Sequence, residues 1–249
     1  MLIDVISSVN EARTEELTNR TVIVIDVLRA TSTIITALNH GCAEVLATET
    51  VNGAKAQQHP EDRLGGERSC RKIPGFHYGN SPLEYTADDL KGRKLIITTT
   101  NGTRAVQKAH KASRVLIGAF LNAGACARTA FEMKKDIVIL CSGTQDVYAL
   151  EDGLCAGALV HALTELYGEG IEVNDFGLAM NYAFLRTEGQ LQDVLLGCSN
   201  GKRLMKLGFR EDVIYCSQFN VTEMVPVLVD STLVPHLPGG SKKGCPLIE

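Results

Sequence analysis

The residues best suited to chemistry in this 249-residue chain stand directly after short apolar runs. Val22–Ile25 ends at Asp26, and Arg29 follows; Leu95–Ile97 runs into three threonines; Ile137–Leu140 runs into Cys-Ser-Gly-Thr. Because the carboxyl ends of parallel strands share one edge of an open α/β sheet, we expect these segments to meet in one crevice. Carboxylates beside arginines and hydroxyls suit a metal ion and an anionic substrate.

The segment Asp26–Thr33 combines groups typical of an anion site. Asp26 could bind a hard cation through oxygen, and Arg29 could clamp a phosphate through two parallel hydrogen bonds. Thr31 and Ser32 would stand at a helix N-terminus, where backbone N–H groups and the helix dipole favour an anion. The alternative is a helix cap with Asp26 paired to Arg29, but a cap explains only one hydroxyl. We therefore favour a functional role.

A second anion cradle is predicted where the threonine-rich strand end meets a helix. Thr100 and Thr103 flank an Asn101-Gly102 pair that favours a tight turn, and Arg104 follows. The alternative is a hydroxyl-rich cap, but the order of strand, turn and helix favours the cradle.

Two further segments add candidates. Glu67 and Arg68 follow two glycines and offer one metal-type and one anion-type group, although a turn with a solvated ion pair explains them equally well. Asn80 and Ser81 belong to a loop that could cover the site, although Ser81-Pro82 alone is more typical of a turn that starts a helix.

The last apolar run brings Ser142 and Gly143 to a strand end. Ser142 could be a nucleophile or a phosphate ligand, whereas Cys141 suits inert packing. Glu151 and Asp152 follow, and acids are favourable at a helix start because of the helix dipole. They could equally complete a metal site.

Several familiar catalytic signatures are absent from the sequence. It has no Walker A loop, no Gly-x-Gly-x-x-Gly after a strand and no Gly-x-Ser-x-Gly elbow. Leu28 stands where haloacid dehalogenase phosphatases carry a second aspartate. Cys198 and Arg203 are one residue too close for a cysteine phosphatase, and the histidines do not cluster.

Composition narrows the class of partner. The net charge is −4 and no basic stripe stands out, which argues against nucleic acid. No apolar run is long enough to span a bilayer, and the first residues do not read as a signal peptide. Eight scattered cysteines without zinc spacing indicate reduced thiols and a cytoplasmic location. We expect a small anionic phosphorylated substrate as partner, and neither nucleic acid nor a membrane.

Alternating short apolar runs and helical segments predict an α/β fold of largely parallel sheets flanked by helices. We expect two α/β subdomains in one compact unit: 1–145 with most motif loops, helix-rich 146–234, and a fraying tail, 235–249. The predicted strands are 2–7, 21–26, 43–48, 62–65, 94–99, 113–117, 136–141 and 224–230. The predicted helices are 30–40, 51–58, 102–111, 122–134, 151–166, 188–196, 199–207 and 209–217. Those after residue 150 fit a homo-oligomer interface as well as an internal one.

Taken together, the motif strings resemble the 2-phosphosulfolactate phosphatase family, in the family's order and over nearly the whole chain. The strings are Asp26–Thr33, Gly65–Arg68, Gly79–Pro82, Thr99–Arg104, and Cys141–Gly143 with Glu151–Gly153. The resemblance implies a Mg²⁺-dependent phosphatase that converts 2-phospho-3-sulfolactate and water to 3-sulfolactate and phosphate, a step toward coenzyme M. It also implies a two-part α/β fold outside the common phosphatase superfamilies. Family membership alone leaves the physiological substrate open.

We expect catalytic roles for Asp26, Arg29, Glu67 and Arg68 on this basis. Mg²⁺ would be held by Asp26 and Glu67, with Glu151 or Asp152 as further candidate ligands. The residues expected to bind substrate are Thr31, Ser32, Asn80, Ser81, Thr100, Asn101, Gly102, Thr103, Arg104, Ser142 and Gly143. Direct attack by water and a covalent intermediate on Asp26 or Ser142 both stay open.

Two other classes of function remain as alternatives. A non-catalytic binding protein for an anionic metabolite would use the same arginines but would need no acids near the anion. An isomerase or lyase of a phosphorylated acid, with Glu67 as base, would turn over its substrate without releasing phosphate. The acids Asp26 and Glu67 favour a metal and catalysis.

Overall fold

The structure, a computed structural model, describes residues 1–238. Eleven strands in this range form one sheet. The strands are β1 (Leu2–Ile6), β2 (Thr21–Ile25), β3 (Glu44–Ala47), β4 (Arg63–Arg68), β5 (Arg71–Lys72), β6 (Lys94–Thr98), β7 (Arg114–Gly118), β8 (Ile137–Cys141), β9 (Glu172–Val173), β10 (Val225–Val229) and β11 (Thr232–His236).

Ten α-helices of the described residues connect and cover these strands. They are α1 (Thr14–Leu17), α2 (Ala30–Asn39), α3 (Val51–Ala56), α4 (Gly102–Lys108), α5 (Ala123–Glu132), α6 (Leu150–Tyr167), α7 (Asp175–Thr187), α8 (Leu191–Gly197), α9 (Ser199–Lys206) and α10 (Arg210–Cys216). No helix within residues 1–238 is long and apolar enough to cross a membrane.

The sheet consists of two parallel groups joined by a hairpin, in the order β5-β4-β6-β3-β11-β10-β7-β2-β8-β1-β9. Strands β7, β2, β8, β1 and β9 are mutually parallel, and so are β4, β6 and β3. Between the groups, β7 pairs antiparallel with β10, β10 with β11, and β11 with β3. Because three successive reversals separate them, the two groups run in opposite senses.

Helix α2 explains how their carboxyl ends still meet. It is buried from Ala30 to Leu38 and contacts β3, β7, β10 and β11, so strands of both groups surround it. Asp26 directly follows β2 and Thr99 directly follows β6, and both line one cavity. The single shared edge expected from the sequence is therefore replaced by the carboxyl ends of two groups that converge beside α2.

Successive side chains of β2 point to opposite faces of the sheet, and helices pack against both faces. Val22 and Val24 belong to the same apolar cluster as Ile34 of α2, whereas Ile23 and Ile25 belong to the cluster that includes α5 and α6. A central strand buried on both faces reads as the continuous apolar run seen in the sequence. Asp26 is thus held between two packed layers.

The predicted α/β class is confirmed, and each predicted strand and helix overlaps an observed one. Helix α7 was missed, as were α1, β5, β9 and β11. The predicted boundary near residue 145 stays a prediction, although strands from 1–145 belong to both groups. Residues 235 and 236 of the predicted tail close β11, and 239–249 lie outside the described residues. The seven cysteines in the described range are free thiols, as expected.

Candidate active site

One cavity of about 140 Å³ lies where the carboxyl ends of β2 and β6 meet α9. Six predicted site residues line it: Asp26, Arg29, Glu67, Asn80, Thr100 and Asn101. The other lining residues are Leu28, Ser69, Cys70, Thr99, Thr144, Gln145, Asn200 and Arg203. Two predicted acids, Asp26 and Glu67, and one predicted arginine, Arg29, therefore reach the same space.

Asp26 is anchored by the first turn of α2. Its Oδ1 accepts a hydrogen bond from the Ala30 amide at 3.2 Å, and its carbonyl accepts from the Thr31 amide at 2.9 Å. Burial raises the pKa of Asp26 to about 7, and the charges of Glu67 and Glu151 act in the same direction. A carboxylate crowded by other acids in a cavity is a functional-site candidate, because a bound cation would relieve the repulsion.

Close backbone approach beside Asp26 depends on Gly102. A Cβ atom added there would lie 2.4 Å from the Ala30 Cβ and 2.8 Å from Asp26 Oδ2. Any side chain at 102 would therefore displace the carboxylate or the start of α2. Gly102 shapes the site through its missing side chain.

Glu67 joins the loop after β4 to the loop after β6. Its Oε1 accepts from the amide and the hydroxyl of Thr100, both at 2.9 Å, and its Oε2 accepts from the Cys70 amide at 2.6 Å. Glu67 therefore holds two cavity-lining loops together, in addition to any role toward a ligand.

Arg29 is held by an aspartate from α10 that the sequence did not single out. Its Nη1 lies 2.5 Å from Asp212 Oδ2, and its guanidinium carbon lies 4.3 Å from the ring centre of Phe209. Ser81 donates to the other oxygen of Asp212 at 2.7 Å. Arg29 is thus a preorganised positive charge at the cavity wall, and Ser81 supports its partner rather than lining the cavity.

Glu151 and Asp152, at the start of α6, differ in role. Asp152 accepts from the amides of Val27 and Gly143, at 2.9 and 3.1 Å, and so ties the chain after β2 to the chain after β8. Burial raises its pKa, with the charges of Asp26 and Glu151 as further causes. Glu151 is buried and accepts from the Asn200 amide group at 2.5 Å. Neither acid lines the cavity.

Two buried oxygen atoms that belong to the motif segments have no hydrogen-bond partner in the described part of the chain: Asn80 Oδ1 and Ser142 Oγ. Asn80 lines the cavity with Asp26, whereas Ser142 does not. An orphaned buried oxygen costs free energy unless a ligand satisfies it. Asn80 Oδ1 is therefore a candidate ligand atom.

The side chains at the cavity suit one kind of metal ion better than others. Residues 1–238 contain no group of three or more His, Cys, Asp and Glu side chains arranged to hold a metal. Asp26 and the free oxygen of Asn80 supply only hard oxygen donors. Mg²⁺ commonly binds one or two carboxylates and completes its shell with water and substrate phosphate, so the donor set fits that ion. Within residues 1–238, the predicted ligands Asp26, Glu67, Glu151 and Asp152 do not come together as one metal-binding group.

The remaining predicted residues lie outside the cavity wall, and most bond to nearby backbone or side chains. The hydroxyls of Thr31 and Ser32 donate to the carbonyls of Asp26 and Val27, and neither caps α2, whose N-cap residue is Arg29. Thr103 likewise donates to the Thr99 carbonyl. Gly143 positions its loop through its amide.

The two arginines expected to contact substrate, Arg68 and Arg104, are also engaged elsewhere. Arg68 donates to the carbonyls of Glu67 and Glu49 and to the Thr98 hydroxyl. Arg104 pairs with Asp146 at 2.7 Å and with Asn10. Both positive charges support loops around the cavity instead of lining it.

Sequence reasoning missed the contribution of α9. Arg203 and Asn200 line the cavity, and Asn200 donates to Thr144 Oγ1 at 2.6 Å and to Glu151. The only signal in the sequence was the basic face of a short helix, which is ordinarily a solvated surface. Ser69 and Cys70 were missed because they belong to the tip of a hairpin, β4–β5, that has no alternating pattern.

Acids and arginines around one cavity at converging strand ends define an α/β enzyme site for an anionic substrate. The chain matches the 2-phosphosulpholactate phosphatase family over residues 6–231 and belongs to that family. The predicted family and the predicted class of enzyme, a phosphoric monoester hydrolase, are thus confirmed.

Similar proteins from other organisms match this chain over almost their full length. A "Probable 2-phosphosulfolactate phosphatase" of Symbiobacterium thermophilum is 42% identical over 230 residues, which cover 91% of this chain and 98% of the relative. A protein of the same description from Clostridium acetobutylicum is 38% identical and covers 91% and 97%. A third, from Caldanaerobacter subterraneus, is 38% identical and covers 92% and 95%.

Proposed function

We propose that the protein hydrolyses 2-phospho-3-sulfolactate with Mg²⁺, giving 3-sulfolactate and inorganic phosphate. The substrate is carried over from the names of the relatives. The observation that carries the proposal is the shared cavity of Asp26, Arg29 and Arg203. It offers a crowded carboxylate for a cation and two positive charges for phosphoryl oxygens. A site that only binds an anion gains nothing from the acid.

The proposal of a metal ion rests on the Asp26 carboxylate, which accepts one backbone amide through Oδ1, and on Asn80 Oδ1, which has no partner among the described residues. Asp26 and Asn80 would hold the ion. Asp152 holds the segment next to Asp26, and Glu67 holds the neighbouring loops at Cys70 and Thr100. Bound there, Mg²⁺ would supply positive charge against the phosphoryl oxygens, which is its usual contribution to phosphoryl transfer.

The chain's own residues would position and stabilise the phosphoryl group. Arg29 is fixed by Asp212 before substrate arrives, so its charge needs little reorganisation. Water oxygen forms the new bond to phosphorus, the ester O–P bond breaks, and the leaving oxygen ends with a proton that derives from water. Ser142 does not line the cavity, so the structure favours direct attack or attack by Asp26 over a Ser142 intermediate.

The test is phosphate release from a panel of 2-phosphosulfolactate, 2-phospholactate and phosphoglycolate in Mg²⁺. We expect 2-phosphosulfolactate to give the highest kcat/KM. Tight binding without turnover would replace the proposal with a binding protein. Substrate consumption without phosphate release would replace it with the isomerase or lyase. The cytoplasmic location, the role in coenzyme M formation and the homo-oligomer stay predictions.

A further inference from the structure

A second cavity adjoins the first and is lined by positive charge. It lies between α9 and the β4–β5 hairpin, with a volume of about 680 Å³. We call it the cationic groove, and define it by Arg71, Lys202, Arg203 and Lys206. Ser69 and Arg203 line both the groove and the cavity at Asp26, so the two spaces are adjacent.

The groove concentrates like charges without compensation. Of the described residues, none that lines it is an acid, and no ion pair or side-chain hydrogen bond involves its four cations. Elsewhere Arg128 and Arg210 each pair with a neighbouring glutamate. In a chain with net charge −4, four unpaired cations in one place repel one another. An anionic ligand would offset that repulsion.

The arrangement on α9 makes the groove one surface. Lys202 and Lys206 are four residues apart, and Arg203 and Lys206 are three apart, so their side chains share a face. Arg71 projects from the opposite wall, on β5. Flexible lysine stems with strongly hydrated ammonium groups suit an exposed anion more than a buried one.

We propose that the cationic groove binds the sulfonate of the substrate while the phosphoryl group occupies the cavity at Asp26. This inference rests on the proposed function. The carboxylate and the phosphate ester are attached to the same carbon, whereas the sulfonate is carried one carbon further away. The acids around Asp26 would repel a second anion, and the acid-free groove next to it accepts one.

The test compares two substrates that differ only in the sulfonate, 2-phosphosulfolactate and 2-phospholactate. The variant is the double substitution Lys202→Gln/Lys206→Gln, whose residues line the groove but not the cavity at Asp26. We expect KM for 2-phosphosulfolactate to rise about tenfold, with kcat within about twofold, and KM for 2-phospholactate to change by less than about twofold. Arg210→Gln, an exposed arginine of α10 outside both cavities, is the matched control and should change neither substrate.

Equal losses on both substrates, or no loss on either, would overturn the assignment of the sulfonate. Calorimetric binding of 3-sulfolactate gives a readout independent of hydrolysis, and the double variant should weaken it by about tenfold. If the wild type releases no phosphate but binding still depends on Lys202 and Lys206, the proposed function fails and the groove stands. If the wild type releases phosphate, but the double variant changes neither KM nor the binding of 3-sulfolactate, the assignment of the sulfonate to the groove is wrong and the proposed function stands.

Discussion

At the scale of single residues, the site depends on the uncompensated charge of Asp26. Burial and two neighbouring acids raise its pKa to about 7, and Oδ1 accepts only one backbone amide. Such a group is poorly placed for stability and well placed for binding a cation. Unfavourable electrostatics of this kind are expected where residues are arranged to bind a ligand.

Replacing Asp26 by Asn should therefore reduce kcat by at least about 100-fold while the fold stays intact. The measurement is the steady-state rate of phosphate release, with circular dichroism to check the fold. Asp230→Asn, in the exposed β10–β11 turn, is the matched control and should retain the wild-type rate. Near-wild-type turnover of Asp26→Asn would remove this carboxylate from the site.

The same residue predicts a pH dependence of stability in the metal-free protein. Because the folded chain holds the Asp26 proton up to about pH 7, and the unfolded chain releases it near 3.8, its contribution to stability is lost as pH rises through that interval. In EDTA, the melting temperature of Asp26→Asn relative to wild type should therefore rise between pH 4 and pH 8. A difference that stays constant with pH would show that Asp26 titrates normally.

At the scale of elements, four loops after strand ends are held together by side chains that were predicted to bind the substrate or a metal ion. Arg104 of α4 pairs with Asp146, and the loop between β8 and α6 also carries the cavity residues Thr144 and Gln145. The pair is exposed, so it contributes little to stability. Its effect should be on the position of the loop.

We expect Arg104→Gln and Asp146→Asn to lower kcat/KM by similar factors of about three- to tenfold, and the double variant to lose no more than either alone. Non-additivity of this kind shows that the two side chains act as a unit. A large loss in Arg104→Gln with none in Asp146→Asn would instead restore Arg104 as a substrate ligand.

The sequence predicts strand ends better than it predicts side-chain partners. Asp26 and Asn101 could be placed at the cavity because each follows a strongly apolar strand. Thr31 and Arg68 could not be separated from true ligands, because a hydroxyl or a guanidinium near a backbone carbonyl looks the same in sequence. Arg203 was missed because only the packing of α9 brings it to the cavity. Helix α7 was missed because Leu178, Tyr182 and Leu185 are exposed and blur its apolar face.

At the scale of the whole molecule, the C-terminal helices are coupled to the loops around the cavity at Asp26. The buried pair of Arg29 and Asp212 connects the start of α2, at the centre of the fold, to α10. Long-range pairs of this kind leave no periodic trace in the sequence.

Asp212→Ala should destabilise the protein by about 3–5 kcal/mol, because it leaves the Arg29 charge buried without a partner. Equilibrium unfolding in urea measures this change. Asp193→Asn, on the exposed surface of α8, should be nearly neutral. A loss below about 1 kcal/mol in Asp212→Ala would mean that Arg29 reaches water or another acid.

The proposed phosphatase reaction takes place at Asp26 and depends on Mg²⁺. The most direct test is the rate of phosphate release from 2-phosphosulfolactate by the wild type, measured after EDTA treatment and again after Mg²⁺ is restored. We predict that EDTA abolishes release and that Mg²⁺ restores it in the wild type but not in Asp26→Asn. Full activity in EDTA, or equal restoration in both proteins, would contradict the account.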